Sequence, residues 1–414
     1  MRKIPLLARV ASAKLLPLPT SLPPLAVLTH EFFPYRGGIA VYVEEMARAA
    51  AATGQKVKVW APDSWALRSQ AWPFEVHPVE MRGSLSWSCR LAMMKAIGAA
   101  KAQLAESIVW LPEPGALLTG MYLNMLGRLP ARKLVLTLHG SEILRFGYRP
   151  HRRILFQKLL DRANRIGVVS DYTHRLLQKY FQVAPEKIIK VSGALRTDFA
   201  EKIIPRTERK PGESLTLLTV GRVHPRKGQH AVLEALTLLS GVGTPLRGVR
   251  ESDNSPSETP LPPITYHIAG QVVYRDYYKQ LETLAKNCGV TVQFHGAVPD
   301  ANLPALYAQA DIFIMTPEPH GPSVEGFGLV YLEAAAAGLP VIAHRTGGVA
   351  EAVRDGITGI LVEPTDRAAL ANAILSLIND APKRAQFAAA GKLRVQELSW
   401  KHNVEMLFGG LGKQ

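Results

Sequence analysis

The sequence predicts an α/β protein made of two successive parallel sheets, each covered by helices. Three observations carry this prediction. Short, wholly apolar runs of strand length recur along the chain, as expected of strands buried on both faces. Longer segments of helical periodicity separate them, the alternation expected of βαβ units. A polar stretch containing Pro205 and Pro211, Arg196–Glu213, divides the runs into two series. At 414 residues the chain is long enough for two independent cores.

The first series opens with Leu25–Thr29 (LAVLT), apolar like a central strand. The Pro- and Gly-rich loop His30–Gly38 follows, and a helix then starts near Ile39 and closes at Gly54. Further strands are expected at Lys56–Pro62, Ile108–Leu111, Lys133–Leu138 and Arg165–Val169. The second series comprises Leu215–Gly221, Ile264–Gly270, Thr291–Gly296, Asp311–Pro317 and Pro340–His344, with helices such as Gln229–Leu239 and Val330–Ala337 between them. This implies a first domain over 25–200, a second over 201–395, and a terminal helix over 396–414 that packs back on the first. Residues 241–263, full of Gly, Pro, Ser and charge, have too little apolar content to pack and are expected to form a mobile insertion.

Residues 1–24 begin with Arg2 and Lys3, as an export signal does. Arg9, Lys14 and five prolines interrupt the apolar stretch, so the segment reads as a surface leader, not a cleaved signal. No apolar run approaches the ~18–20 residues needed to cross a bilayer. Hydrophobic residues at 47% and charged residues at 20% argue against wholesale disorder and against a membrane bundle. Cys89 and Cys288 are too few for a disulfide framework or a zinc site and fit a reducing, cytoplasmic compartment.

The charge is distributed unevenly. Up to residue 200 there are 28 basic and 13 acidic residues; beyond it there are 21 of each. The whole formal excess of +15 therefore lies in the first half. That half is expected to meet an anionic partner such as a membrane surface or a phosphorylated substrate, although a solubilising surface would have the same composition.

The segment Glu325–Glu333 (EGFGLVYLE) carries the most specific chemistry. Glu325 precedes a Gly-Phe-Gly turn that enters a helix, whose first amides point at the cleft. Glu333 lies about two turns further along. The second motif is Gly221–Gly228 (GRVHPRKG), directly after a strand, where Arg222 and Lys227 set two cations suited to a diphosphate. Arg226, between them, reads as a surface charge. Gly37 and Gly38 precede a helix in the first domain, where amides can approach a phosphate. His139 ends the strand LVLTLHG. There is no Asp-x-Asp motif, no metal-ligand spacing, no Walker loop and no G-x-S-x-G.

The stretch from Glu325 to Glu333 resembles the E-x7-E signature of the retaining glycosyltransferases called family 4. The words GAVPDANLPALYAQADIF (Gly296–Phe313) and GITGILVEP (Gly356–Pro364) resemble that family as well, over roughly residues 25–405. The resemblance implies the GT-B fold, two facing Rossmann-like domains with the substrates in the cleft between them. It implies Glu325, Phe327, Gly328 and Leu329 on the donor sugar, and Val298 and Glu333 on the nucleoside. Arg222, Lys227 and Gly38 would hold the diphosphate, and His139 would face the transferred sugar as a catalytic partner of Glu325. The donor would be GDP-mannose or a UDP-sugar, with no cofactor and no metal. The acceptor would be a glycan or lipid-linked sugar, met at the inner face of a membrane. A sugar-nucleotide epimerase of the same fold is the alternative; donor incubated alone would tell the two apart. A nucleic-acid partner is not expected, because aromatic and basic residues do not interleave.

Overall fold

The structure, a computed structural model, describes residues 22–35, 37–81, 86–205, 213–241 and 262–412. Residues 1–21 of the leader, residues 206–212 of the linker and nearly all of the 241–263 insertion lie outside the described residues.

The first sheet has seven strands: β1 (Leu25–Leu28), β2 (Val57–Pro62), β3 (Glu75–Val79), β4 (Ile108–Leu111), β5 (Lys133–Leu138), β6 (Arg165–Val168) and β7 (Ile188–Lys190). Their order is β3-β2-β1-β4-β5-β6-β7, and every pairing is parallel. Leu25 pairs with Val57 on one side and Ile108 on the other, so β1 and β4 are central and fully buried. The second sheet has six strands: β8 (Leu215–Val220), β9 (Ile264–Ala269), β10 (Thr291–Gly296), β11 (Ile312–Met315), β12 (Val341–His344) and β13 (Gly359–Val362). It runs β10-β9-β8-β11-β12-β13, again wholly parallel. The expected two-sheet α/β architecture is therefore observed.

In each sheet the strand order reverses at one place. Between β1 and β4, and again between β8 and β11, the chain leaves neighbouring strands in opposite directions. Ligand crevices form outside the carboxyl ends of strands at such points. The loops opening there are His30–Gly38 and Pro112–Pro114 in one sheet, and Gly221–Gly228 and Thr316–Gly328 in the other. All the motif residues of the second domain except Val298, Leu329 and Glu333 lie in those last two loops.

The domains share an apolar core as well as a cleft. Phe199, after β7, meets the ring of Tyr307 edge-on at 5.3 Å. The C-terminal helix Trp400–Phe408 crosses helix Gly38–Ala52, with Trp400 Nε1 donating to the Leu195 carbonyl at 2.8 Å. Phe408 packs on Trp110 at 5.4 Å between ring centres and is fully buried. Truncating such an aromatic to alanine costs about 3–5 kcal/mol.

Candidate active site

The loop after β8 is a short 3-10 turn, Pro225–Lys227, closed by Gly228 in the left-handed region at φ 69°. A Cβ at Gly228 would collide with the Thr316 carbonyl oxygen, and Thr316 Oγ1 donates to the Gly228 carbonyl at 2.8 Å. This latch brings the loop after β8 against the end of β11. Lys227 is thereby set beside Glu325.

Glu325 is the electrostatic centre of the site. Its Oε2 accepts from Lys227 Nζ at 2.8 Å and from Arg226 Nη1 at 2.5 Å. Burial pushes its carboxyl up, but the Lys227 ammonium and then the Arg226 guanidinium outweigh it and hold it at about 2. Burial lowers the ammonium of Lys227 in spite of Glu325. Arg226 is thus not the surface charge that its position in the motif suggested. It turns inward, with its side chain 13% exposed. Arg222 stays exposed on the same loop.

Phe327 is buried, Gly328 caps helix Leu329–Ala336, and Leu329 is its first residue. Glu333 lies on the same helix and is buried. Its Oε2 accepts from the Tyr307 hydroxyl at 2.9 Å, and its Oε1 lies 3.8 Å from Arg196 Nη1. Burial raises its carboxyl against the pull of Arg196. Arg196 also reaches Asp300 at 3.3 Å, two residues beyond Val298, and forks onto Asp198. Val298 and Glu333, distant in sequence, are in this way brought to one neighbourhood by a residue that sequence reasoning placed in the linker.

Across the cleft, His139 follows β5. Its Nε2 lies 2.9 Å from the Pro112 carbonyl, which can only accept, so Nε2 carries a proton. Tyr42 packs edge-on at 5.2 Å, and burial lowers the imidazole's proton affinity. Glu142 accepts from the amides of both His139 and Gly140. Gly326 touches the His139 carbonyl so closely that a Cβ there would fall inside van der Waals contact. Val324 N–H donates to Ser141 Oγ at 3.1 Å. The loop of Glu325 is therefore docked on the strand end of His139. Gly38 opens helix Gly38–Ala52, exposed, with no heavy atom within 4 Å of where a Cβ would stand.

The first domain also contributes acidic groups that the motifs did not indicate. Glu113, wholly buried, accepts from His30 N at 3.0 Å and from Gly115 N and Ala116 N at 2.6 Å. Its Oε1 lies 3.2 Å from His30 Nδ1. Burial, then the charge of Glu113, pushes the Glu31 carboxyl up to about 7 against Arg222 and Arg145. The charge of Arg222, from the other domain, is felt at Glu31. Glu31 lies next to the His30 of its strand end, and only that adjacency could have marked it. Among the described residues no group of three or more His, Cys, Asp or Glu is placed to hold a metal ion.

Residues 36–199 match the family model described as Glycosyltransferase Family 4, and residues 200–394 match that of Glycosyl transferases group 1. The D-inositol 3-phosphate glycosyltransferase of Corynebacterium glutamicum is 30% identical over 310 residues, which span 70% of this chain and 68% of that protein. This chain is a family 4 glycosyltransferase. Over 390 residues it is 28% identical to the GDP-mannose-dependent alpha-(1-6)-phosphatidylinositol monomannoside mannosyltransferase of Mycobacterium tuberculosis, covering 88% of this chain and 92% of that one.

Solved glycosyltransferases share its fold. Anabaena Alr3699/HepE, in complex with UDP and glucose, superposes with a TM-score of 0.69 at 22% identity, covering 92% of this chain and 97% of the other. Sucrose-phosphate synthase from Thermosynechococcus elongatus gives 0.72 at 20% identity, covering 92% and 96%. The two-domain GT-B fold is thereby established.

Proposed function

We propose that this glycosyltransferase moves mannose from GDP-mannose to a hydroxyl of a lipid-linked, anionic glycan, with retention at the anomeric carbon and without a metal. One observation carries the reading. Glu325, held ionised by two cations at a helix entrance, lies in a loop docked on the strand end of His139. The mycobacterial mannosyltransferase, named for GDP-mannose and a phosphatidylinositol mannoside, suggests the donor and the kind of acceptor. The basic excess of the first half agrees with an anionic acceptor.

In this reading the diphosphate rests on Arg222, Lys227 and the amides that open helix Gly38–Ala52. Their positive charge stabilises the leaving group as its negative charge grows. The ribose hydroxyls donate to Glu333, with the base against the backbone near Val298. Glu325 and the amides around Phe327, Gly328 and Leu329 hold the sugar. His139, neutral with its proton on Nε2, presents Nδ1 towards the sugar side of the cleft. In this reading the acceptor attacks on the front face. Its proton passes to a phosphate oxygen of the departing diphosphate, which leaves as GDP. The epimerase alternative has no support from the relatives.

Incubating the protein with GDP-mannose, UDP-glucose and UDP-N-acetylglucosamine, with and without EDTA, tests the proposal. Donor hydrolysis and lipid glycosylation should be strongest with GDP-mannose, persist in EDTA and give the α-anomer. Transfer only from UDP-sugars, a β-linked product, or loss in EDTA with rescue by a divalent ion would each remove the corresponding part.

A further inference from the structure

Arg226 and Lys227 both converge on Oε2 of Glu325. Oε1 accepts no hydrogen bond among the described residues. Arg226 Nη1 also lies 3.3 Å from the Val324 carbonyl, which accepts from it, so the guanidinium grips the residue before Glu325 together with the carboxylate. The Arg226 carbonyl in turn accepts from Glu318 N at 3.0 Å, tying the loop after β8 to the loop after β11. The three side chains are only 10–13% exposed. A carboxylate so removed from water is costly to leave without a cation.

Lys227 has a second anion to serve. A diphosphate arriving beside it would share one ammonium with the Glu325 carboxylate, leaving the two anions facing each other across a single point charge. The second cation is already in place: Arg226 Nη1 donates to the same Oε2.

We propose that Arg226 is the positioning residue for Glu325 during glycosyl transfer: it keeps hold of Oε2 while Lys227 turns to the diphosphate, and so leaves Oε1 to accept from a hydroxyl of the donor sugar. The proposal rests on the donor-site reading of Glu325 and Lys227. It assigns Arg226 to recognition of the sugar and not to recognition of the nucleotide. The charged groups around Glu325 are Lys227, Arg226 and, further out on the same loop, Arg222. Tyr331, on the helix that follows, donates its hydroxyl to the Met315 carbonyl at 3.1 Å and is not available to replace Arg226.

The test compares full-length wild type with Arg226→Ala, Arg226→Lys and Glu325→Gln. Binding of GDP and of GDP-mannose is measured by calorimetry, and kcat, KM and the pH profile by transfer assay. Arg226→Ala should bind GDP within about twofold of wild type, which also reports an intact fold. Its preference for GDP-mannose over GDP should fall about tenfold or more, as for loss of a charge-assisted contact. Its kcat should fall, and the acid limb of the profile should move to higher pH, because Glu325 then protonates more easily once Lys227 is engaged. Arg226→Lys should restore much of both. Arg226→Ala with unchanged kcat and unchanged sugar preference would overturn the proposal. Equal loss of GDP and GDP-mannose affinity, not relieved by Arg226→Lys, would also overturn it, because Arg226 would then be merely structural. Glu325→Gln with full kcat and sugar preference would overturn the donor-site reading itself, a result that no behaviour of the Arg226 variants can mimic.

Discussion

Lys227 Nζ stands 2.8 Å from Glu325 Oε2, although 98 residues separate the two in sequence. In the proposed donor site the pairing gives Lys227 two tasks and Arg222 one. Arg222→Ala should weaken GDP binding by about 1.5–3 kcal/mol, as for a lost charge-assisted contact, with little change in stability. Lys227→Ala should weaken GDP binding similarly and also lower the melting temperature, since it strips a partner from a buried carboxylate. Calorimetry with GDP and thermal melts check both. Unaltered GDP affinity in the two variants would remove the diphosphate assignment.

The sequence showed the centre of each sheet more clearly than its edges. β1, β4 and β11 are apolar throughout, and β5 is apolar but for Lys133 and Thr137, because both faces are covered; their limits were legible within a residue or two. Glu75–Val79 was missed because EVHPV, with Pro78, is a half-exposed edge strand. Ile188–Lys190 has only three residues at the opposite edge. Glu325 and Lys227 were legible because each stands in a contiguous motif. Arg226 was not, because only the crossing of two loops turns it inward. Arg196 was hidden in a stretch that reads as linker, and three carboxylates from different elements explain its burial. Ile154, an apolar residue in helix Pro150–Arg162, is exposed. The buried stripe of that helix is Phe156, Leu159, Leu160 and Ala163, the i, i+3, i+4, i+7 pattern, and Ile154 lies off it.

Gly326 is the point at which the two domains come closest to the chemistry. Its neighbour is the backbone carbonyl of His139, which no side-chain rotation can move aside. Gly326→Ala should push the Glu325 loop away from the His139 strand end. Misplacement by about an ångström can cost on the order of a hundredfold in rate. We expect kcat to fall by about 10–100-fold, while GDP affinity, which the proposed site draws chiefly from Arg222, Lys227 and Glu333 of the second domain, stays near wild type. Wild-type turnover in this variant would show that the contact is not needed for transfer.

Glu31 gives the folded protein a pH signature. Its carboxyl is shifted from 4.5 to about 7 by burial and by Glu113, so the folded chain keeps a proton that the unfolded chain releases. Stability attributable to this group is therefore fully present below about 4.5, falls as pH rises to about 7, and stays lost above that. The total is on the order of 3 kcal/mol. Glu31→Gln should remove the slope: the variant should match wild type at about pH 4 and exceed it at about pH 8, by that amount. Denaturant titrations of the two proteins side by side check the difference. A stability difference independent of pH would mean that Glu31 titrates alike in the folded and unfolded chains.

The outer face of the first sheet is where a membrane would be met. Helix Trp87–Ala99 buries Cys89, Met93 and Ile97, yet it exposes Trp87 by 51% and Leu91 by 41%. Beside it, helix Pro114–Met125 ends in Met125 and Leu126, both exposed. Arg90 lies 4.7 Å over the Trp87 ring and 5.5 Å over Tyr122 on that second helix. Helix Pro150–Arg162 flanks it on its other side, joined by Arg162 Nη1 to Asn124 Oδ1 at 3.0 Å, and exposes Arg153, Ile154 and Lys158. Apolar side chains interspersed with cations suit the boundary between anionic headgroups and acyl chains, where each basic residue adds about 1 kcal/mol. No helix among the described residues is long and apolar enough to cross a membrane. Sedimentation with vesicles of phosphatidylglycerol and phosphatidylcholine should show binding that needs the anionic lipid and falls steeply as salt rises. Trp87→Glu combined with Leu91→Glu should weaken binding at every salt concentration while GDP affinity is unchanged. Arg153→Gln with Lys158→Gln should chiefly flatten the salt dependence. If the protein ignores these vesicles at low ionic strength, or if both double variants bind as wild type does, this face is not the membrane surface.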